Sequence, residues 1–415
     1  MPDKELGIYI HIPFCAGKCA YCDFYSLAGH DALMPGYQRA LLQHIREAGP
    51  QLDSYLIDTV YFGGGTPSYY GADRLIALFD ALKRYGHVLI EAEVTAEVNP
   101  DSITLGDLTR MKRAGFNRLS IGAQCADDGI LKSLGRLHDF AQVETAVANA
   151  RTAGFDNVSL DLIYGLPSQD RDGWANTLAR ALALKPEHLS CYGLKVEEGT
   201  PLYPFKDSPF LPDDDDQADM YLYTVETLER YGYKQYEISN FSLRGYTSRH
   251  NLKYWQGQEY FGFGAAAHSY VAGQRYSYAP DIAAYTENIL HGGNVVEQSE
   301  TLSEFEQASE YLMLGLRTVH GISEAEYLAI YPSDFTRIKE KLRSFIPHGW
   351  AMETGDRWHL TPTGFLVSNT LIGDVLDVQA STRTHAPWRR VEDTQQIEID
   401  AFRNRMENSG LFHGI

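Results

Sequence analysis

Residues 9–26, YIHIPFCAGKCAYCDFYS, put Cys15, Cys19 and Cys22 in a C-x3-C-x2-C spacing and then stop, with Phe24 at the next position where a sulfur would be expected. A nucleophilic cysteine needs one activated thiol and a partner base rather than three thiols in a row. A structural zinc site needs four ligands, and the chain offers no second Cys-x-x-Cys or His pair. Four cysteines close an iron–sulfur cluster, as in electron carriers. Three leave one iron open to a substrate or cofactor. The spacing therefore reads as a cluster site with Cys15, Cys19 and Cys22 as metal ligands.

Cys125 and Cys191 stand alone, and each reads as a small buried hydrophobe. Five cysteines in 415 residues make no disulfide framework, so a reducing, cytoplasmic setting is expected. The N-terminus has no long apolar core of a signal peptide, and no run approaches the ~18 apolar residues of a membrane span. A formal charge of −19 argues against a broad nucleic-acid surface or an anionic-membrane partner.

Outward from the cysteines, short β-rich runs alternate with amphipathic stretches. Strands are predicted at 6–12, 58–64, 92–99, 117–123, 157–165 and 188–196, with helices such as YQRALLQHIREA and AQVETAVANARTAGF between them. This alternation implies βαβ units and a parallel sheet. Six units suggest an α/β fold built on a partial (β/α)6 barrel, with chemistry at the C-terminal strand ends. Glu97, Gln124 and Asp161 are expected at three such ends and read as one shared site. In FGGGTP, which follows the second strand, Gly63, Gly64 and Gly65 allow close backbone approach to a ligand, and Thr66 adds a hydroxyl.

Residues 197–216, EEGTPLYPFKDSPFLPDDDD, form a proline-punctuated link, and YKQYEISNF further on reads as a strand. From about 303 three helical patterns lead into WAMETGDRWHL, two short strands about a Gly-Asp turn, and then TPTGFLVSNTLIGDVL, a capped helix. That order suggests a winged-helix-like α+β domain. Residues 303–378 hold six basic and eleven acidic residues, net −5, the wrong sign for phosphate contact, so docking or a lid role is expected. The expected organisation is a barrel core over 1–200, an extension over 201–300, the winged-helix-like domain over 301–378, and a polar, weakly ordered tail over 379–415.

C-x3-C-x2-C with Tyr21 before the last cysteine resembles the radical S-adenosylmethionine (SAM) superfamily. The resemblance implies a [4Fe–4S] cluster whose open iron takes the amino and carboxylate groups of SAM. It places Gly64, Gly65 and Thr66 against the methionine amino group, with Glu97, Gln124 and Asp161 around the ligand. It pairs Arg136 of LKSLGRLH with the carboxylate, for which a guanidinium is suited. Tyr9 would lie beneath the ligand, Tyr21 beside it, and Gly193 of CYGLKV near the adenine.

Longer stretches, YFGGGTPS, RLSIGAQ, DLIYGLPSQ, HLSCYGLKVEEGTPLY, YEISNFSLRGYTSRHNLKYW and GFGAAAHSY, resemble the oxygen-independent coproporphyrinogen III oxidase family from about residue 6 to about 375. Phe24 stands where the oxidases carry a further cysteine, and the oxidases' extension ahead of the cluster is not expected here. His250, Asn251, Tyr254 and Trp255 spell the H-N-x-x-Y-W motif of the family's HemW-type heme-chaperone branch. That branch implies heme binding, with His250 as axial ligand, Asn251 orienting it, and Tyr254 or Trp255 packing the macrocycle. It also implies a heme-acceptor protein and an electron donor for the cluster. A homodimer is left open. The alternative is the oxidase itself, which decarboxylates propionates to vinyl groups.

Overall fold

The computed structural model describes residue 2 and residues 4–381. Six strands run in sequence order: β1 (Lys4–Ile12), β2 (Tyr55–Gly64), β3 (His87–Val98), β4 (Arg118–Gln124), β5 (Val158–Tyr164) and β6 (His188–Gly193). Each is parallel to the next. Helices α1 (Met34–Leu52), α2 (Ala72–Tyr85), α3 (Leu105–Ala114), α4 (Phe140–Thr152) and α5 (Arg171–Ala183) fall between them. Their boundaries follow from local chemistry. Thr104 and Asp139 close reciprocal capping boxes at the starts of α3 and α4, and Gly115 ends α3 in the left-handed conformation.

The strands alternate in character. In β1, Leu6, Ile8, Ile10 and Ile12 are fully buried in the main apolar core, whereas Gly7, Tyr9 and His11 pair across to Thr59, Tyr61 and Gly63 of β2. The same face continues through Glu93, Thr95 and Glu97, then Arg118, Ser120 and Gly122, then Ser159 and Asp161, then His188 and Ser190. A parallel sheet covered on both faces by helices usually reads as near-continuous apolar runs. Here only the outer face is apolar. The inner face is a polar lumen.

The chain then forms α6 (Asp214–Arg230), β7 (Lys234–Gln235), β8 (Asn240–Ser242), α7 (Arg249–Trp255), β9 (Tyr260–Phe263), β10 (His268–Val271), β11 (Gln274–Tyr278), α8 (Ile282–His291) and β12 (Val296–Thr301). The complete order is β12-β11-β10-β9-β1-β2-β3-β4-β5-β6-β8-β7. β9 lies parallel to β1, so the parallel run has a seventh strand that the repeating pattern did not predict. The strand expected through YKQYEISNF is instead β7 and β8. Tyr236 N–H bonds the Asn240 carbonyl and the Glu237 carboxylate takes the Asn240 amide, closing a turn between them.

A second core, including Leu312, Tyr327, Ile338, Leu342, Trp358 and Val375, belongs to the C-terminal part. Helices α9 (Glu304–Gly315), α10 (Glu324–Ile330) and α11 (Thr336–Phe345) precede a hairpin of Ala351–Thr354 and Arg357–Leu360, as expected of a winged-helix-like arrangement. The single helix expected after it is two, Pro362–Leu366 and Ser368–Ser381. The tail predicted from 379 lies, past Ser381, outside the described residues. Among those described, no helix is long and apolar enough to cross a membrane.

Candidate cluster and cofactor site

The cysteine loop leaves β1 and is clamped over the strand ends by backbone bonds. Gly65 N–H donates to the Ile12 carbonyl at 2.9 Å and Thr66 N–H to that of Phe14 at 2.8 Å. Ala20 N–H reaches the Leu134 carbonyl at 2.9 Å, and Leu202 N–H reaches that of Ala20 at 2.9 Å. The close approach explains Gly65, where a Cβ would stand 2.8 Å from the Phe14 carbonyl oxygen and 3.0 Å from Cys15 Sγ.

Donors face two of the thiols. Thr66 Oγ1 lies 3.5 Å from Cys15 Sγ, and Arg136 Nη1 lies 3.6 Å from Cys19 Sγ. Asn99 joins these donors, accepting from Arg136 Nη2 at 2.9 Å and donating to Thr66 Oγ1 at 3.3 Å. Arg136 also donates to the Gly122 carbonyl at 3.0 Å. Its Nε is buried and has no partner. Tyr21 sits against Cys19, Cys22 and Arg136, and burial raises its phenol above the ordinary range. Among the described residues no three His, Cys, Asp or Glu side chains converge as ligands of one ion. A cluster asks for a different arrangement, in which each thiolate takes its own iron. Three thiols, two of them already met by donors, fit that demand.

Around the barrel mouth, Gly64 N–H donates to Glu97 Oε2 at 3.1 Å and the Tyr61 hydroxyl to Oε1 at 3.0 Å. Burial, and next the charge of Asp161, push Glu97 up to about 7. Gln124 ends β4 with φ 64°, a left-handed backbone costing a non-glycine residue ~1–3 kcal/mol. It stands at a register shift between Gly122 and Gln124, which is how its side chain comes to lie over Gly122. Gly193 ends β6 against the Tyr164 ring.

Asp161 departs from expectation. It does not end its strand, because β5 continues pairing with β6 as far as Tyr164 opposite Gly193. It sits below the mouth, accepting from Ser120 at 2.9 and 3.0 Å and from Ser159 at 3.3 Å. Burial raises it despite those serines. Tyr9 is also in the lumen, its hydroxyl 2.9 Å from His11 Nδ1.

His250 is the larger correction. It is 1% exposed and lies at the opposite end of the barrel from the cysteines, near Gly7 and Thr59. Nδ1 is 2.9 Å from Thr59 Oγ1 and Nε2 is 2.8 Å from the Tyr254 hydroxyl. Burial drops the imidazole to about 3. Both nitrogens are engaged, so neither is presented to a heme iron. Tyr254 is held by this contact and packs edge-on against Tyr260. Asn251 and Trp255 are half-buried.

The sequence reading gave no role to His11, Tyr61, Asn99 or Arg118. Asn99 lies two residues after Glu97, just past the strand end, and the alternation GIYIHI in β1 marks His11 as inward. No local signal marks Arg118.

Three clamped cysteines at the C-terminal end of a parallel partial barrel define a radical SAM protein, whose superfamily uses a [4Fe–4S] cluster and SAM. The Radical SAM superfamily profile matches residues 9–181, and the HemN C-terminal domain profile matches 302–367. The coproporphyrinogen III oxidase HemN from Escherichia coli superposes with a TM-score of 0.79 at 22% identity, covering 91% of each chain, a likeness of fold. The heme chaperone HemW of Bacillus subtilis (strain 168) is 34% identical over 372 residues, 89% of this chain and 98% of that protein. HemW of Mycobacterium tuberculosis (strain ATCC 25618 / H37Rv) is 33% identical over 91% of this chain and 96% of its own length. HemW of Escherichia coli (strain K12) is 32% identical over 88% and 97%. The chain belongs to the HemW family.

Proposed function

We propose that this protein is a heme chaperone: it carries a [4Fe–4S] cluster on Cys15, Cys19 and Cys22, binds SAM at the barrel mouth, and delivers heme to an acceptor protein. The observation that carries this reading is the end-to-end likeness to heme chaperones, joined to a cysteine loop in which Phe24 is 66% exposed and offers no fourth thiolate. The SAM amino group is assigned to Gly64, Gly65, Thr66 and Glu97, and its carboxylate to Arg136, whose free Nε is the donor such a group would take. Tyr21, Gln124 and Gly193 border the same ligand, while Tyr9 and Asp161 act from below. A cluster held there would supply the electron for cleaving the SAM sulfonium. The chain's own task is to hold and orient the ligand and exclude water. A reductant for the cluster is required. Of the H-N-x-x-Y-W motif, Asn251, Tyr254 and Trp255 are half-buried, and with the Tyr254 hydroxyl held by His250, Asn251 and Trp255 are assigned to meet heme from outside.

Anaerobic reconstitution with iron and sulfide, then heme titration and a coproporphyrinogen III turnover assay, tests this. Saturable heme binding without turnover is the expected result. Efficient conversion of coproporphyrinogen III would make the protein an oxidase instead.

Glu97 adds a pH dependence. Its carboxyl must be ionised to accept from both Gly64 and the ligand, and burial and the charge of Asp161 hold its pKa at about 7. Binding SAM therefore expels a proton below that pH. The affinity should fall about tenfold for each pH unit below the midpoint and level off above it. Isothermal titration across this range on the cluster-loaded protein checks both slope and midpoint.

A further inference from the structure

We infer that His250 and Tyr254 are positioning residues for the SAM site: α7 plugs the base of the barrel and, through a stack of rings in the lumen, aims the Tyr61 hydroxyl at Glu97. This rests on the SAM assignment above and departs from a ligand role for His250.

The stack has three members. The Tyr61 ring lies nearly parallel to that of His250, with centroids 5.2 Å apart, and to that of Tyr9, with centroids 6.3 Å apart. Packed against both rings, the Tyr61 phenol is restrained, and its hydroxyl ends 3.0 Å from Glu97. Glycines make the space. A Cβ on Gly63 would stand 2.9 Å from the Tyr61 ring and 3.1 Å from both Tyr9 and Glu97. A Cβ on Gly7 would stand 2.9 Å from Lys253 Cδ and 3.4 Å from the His250 ring.

The plug is fastened on every side. Glu93 accepts the N–H groups of Arg249 and His250 with its two oxygens, each at 3.1 Å, meeting donors that a helix start leaves open. Asp58 takes Lys253 at 2.9 Å and Arg249 at 3.3 Å. Tyr254 and Thr59 hold the His250 ring by its two nitrogens. Every polar atom of that imidazole is spent on orientation. The groups that bear on Glu97 from the surrounding strands are Tyr61 and Gly64 of β2, Asp161 of β5 and Arg118 of β4.

Three variants of the cluster-loaded full chain test this, each assayed anaerobically for SAM affinity against pH and for the heme Soret band. His250→Ala removes one face of the stack and should weaken SAM roughly three- to tenfold, the range for a stacked ring pair. His250→Phe restores a ring face but cannot ligate iron, and should recover most of that loss. Tyr61→Phe keeps the ring and loses the donor to Glu97, so the pH midpoint of SAM binding should move up, with affinity regained on the alkaline side. The Soret band should be unaltered in all three. A Soret shift in either His250 variant overturns the inference, whatever SAM does, and so does SAM binding unchanged in affinity and midpoint in His250→Ala or Tyr61→Phe. Should His250→Ala fail to fold, the other two variants decide. A wild type that binds no heme would remove the chaperone reading, and the SAM measurements would then decide this one alone.

Discussion

Replacing any one of Cys15, Cys19 or Cys22 by Ala is expected to abolish the visible charge-transfer absorption of the anaerobically reconstituted protein and to cut bound iron from about four per chain to background. Three thiolates are the whole protein contribution to the cluster, and nothing stands in reserve. Phe24 cannot ligate. The two remaining cysteines are in the wrong chemical state as well as the wrong place. Cys125 is buried with Leu131, Leu134 and Leu166, and burial pushes its thiol up to about 11. Cys191 lies in the barrel core and is raised further by burial and by Asp161. Both stay protonated at neutral pH, whereas a cluster ligand must be a thiolate. Cys125→Ala and Cys191→Ala should therefore keep full iron content. Iron loss in either would mean that the three-ligand site is incomplete.

The parts legible in the sequence were those set by short-range chemistry. The C-x3-C-x2-C loop, the glycine run and the strand–helix alternation each follow from a few neighbouring residues, and the structure has all three. What was misread depends on partners far along the chain. His250 looks like a ligand beside Asn251 and Trp255 in sequence. Only the fold brings Thr59, Tyr61 and Glu93 to it, and with Tyr254 on one ring nitrogen and Thr59 on the other, both are used up. Asp161 was grouped with the strand ends although the strand predicted over 157–165 already runs past it, and pairing with β6 as far as Tyr164 sets it below the mouth. β9 was missed because YFGF is short and lies in a glycine-rich aromatic loop, and its parallel partner is β1, more than two hundred residues earlier. Arg118 shows the limit most clearly. RLSIGAQ reads as a strand whose first residue ought to be solvated, and nothing local says that this strand starts inside a polar lumen.

That arginine carries the second large effect. Arg118 is 1% exposed, and Glu93, Tyr61, Tyr236 and Asp161 are the acidic and phenolic groups around it. A buried charge of this kind is tolerated because the carboxylates compensate it, and they in turn depend on it. Arg118→Met keeps much of the volume and removes the charge, leaving buried carboxylates uncompensated. The Arg118 Nε and Nη1 make no hydrogen bond, and the carboxylates act on it through their charge, with no direct ion pair to it among the described residues, so the expected cost is ~1–3 kcal/mol. Its pH dependence has a definite sign. Asp161 is already raised by burial, with Arg118 holding it down, and Glu97 stands at about 7 with Arg118 again opposing the rise. Without the guanidinium both move further up in the folded state and stay near their ordinary values in the unfolded one. An acid raised on folding favours the native state least once pH has climbed through its folded pKa. The variant's deficit against wild type, read from urea midpoints of the cluster-free protein, should thus be small at about pH 5 and grow toward about pH 8, as carboxylates that ionise in the folded wild type, Glu97 at about 7, stay protonated in the folded variant. A deficit that stays flat or shrinks with rising pH would mean that Arg118 does not compensate these carboxylates. In the cluster-loaded variant the same rise in Glu97 keeps it protonated at neutral pH, so SAM binding should be lost there and return only in more alkaline buffer.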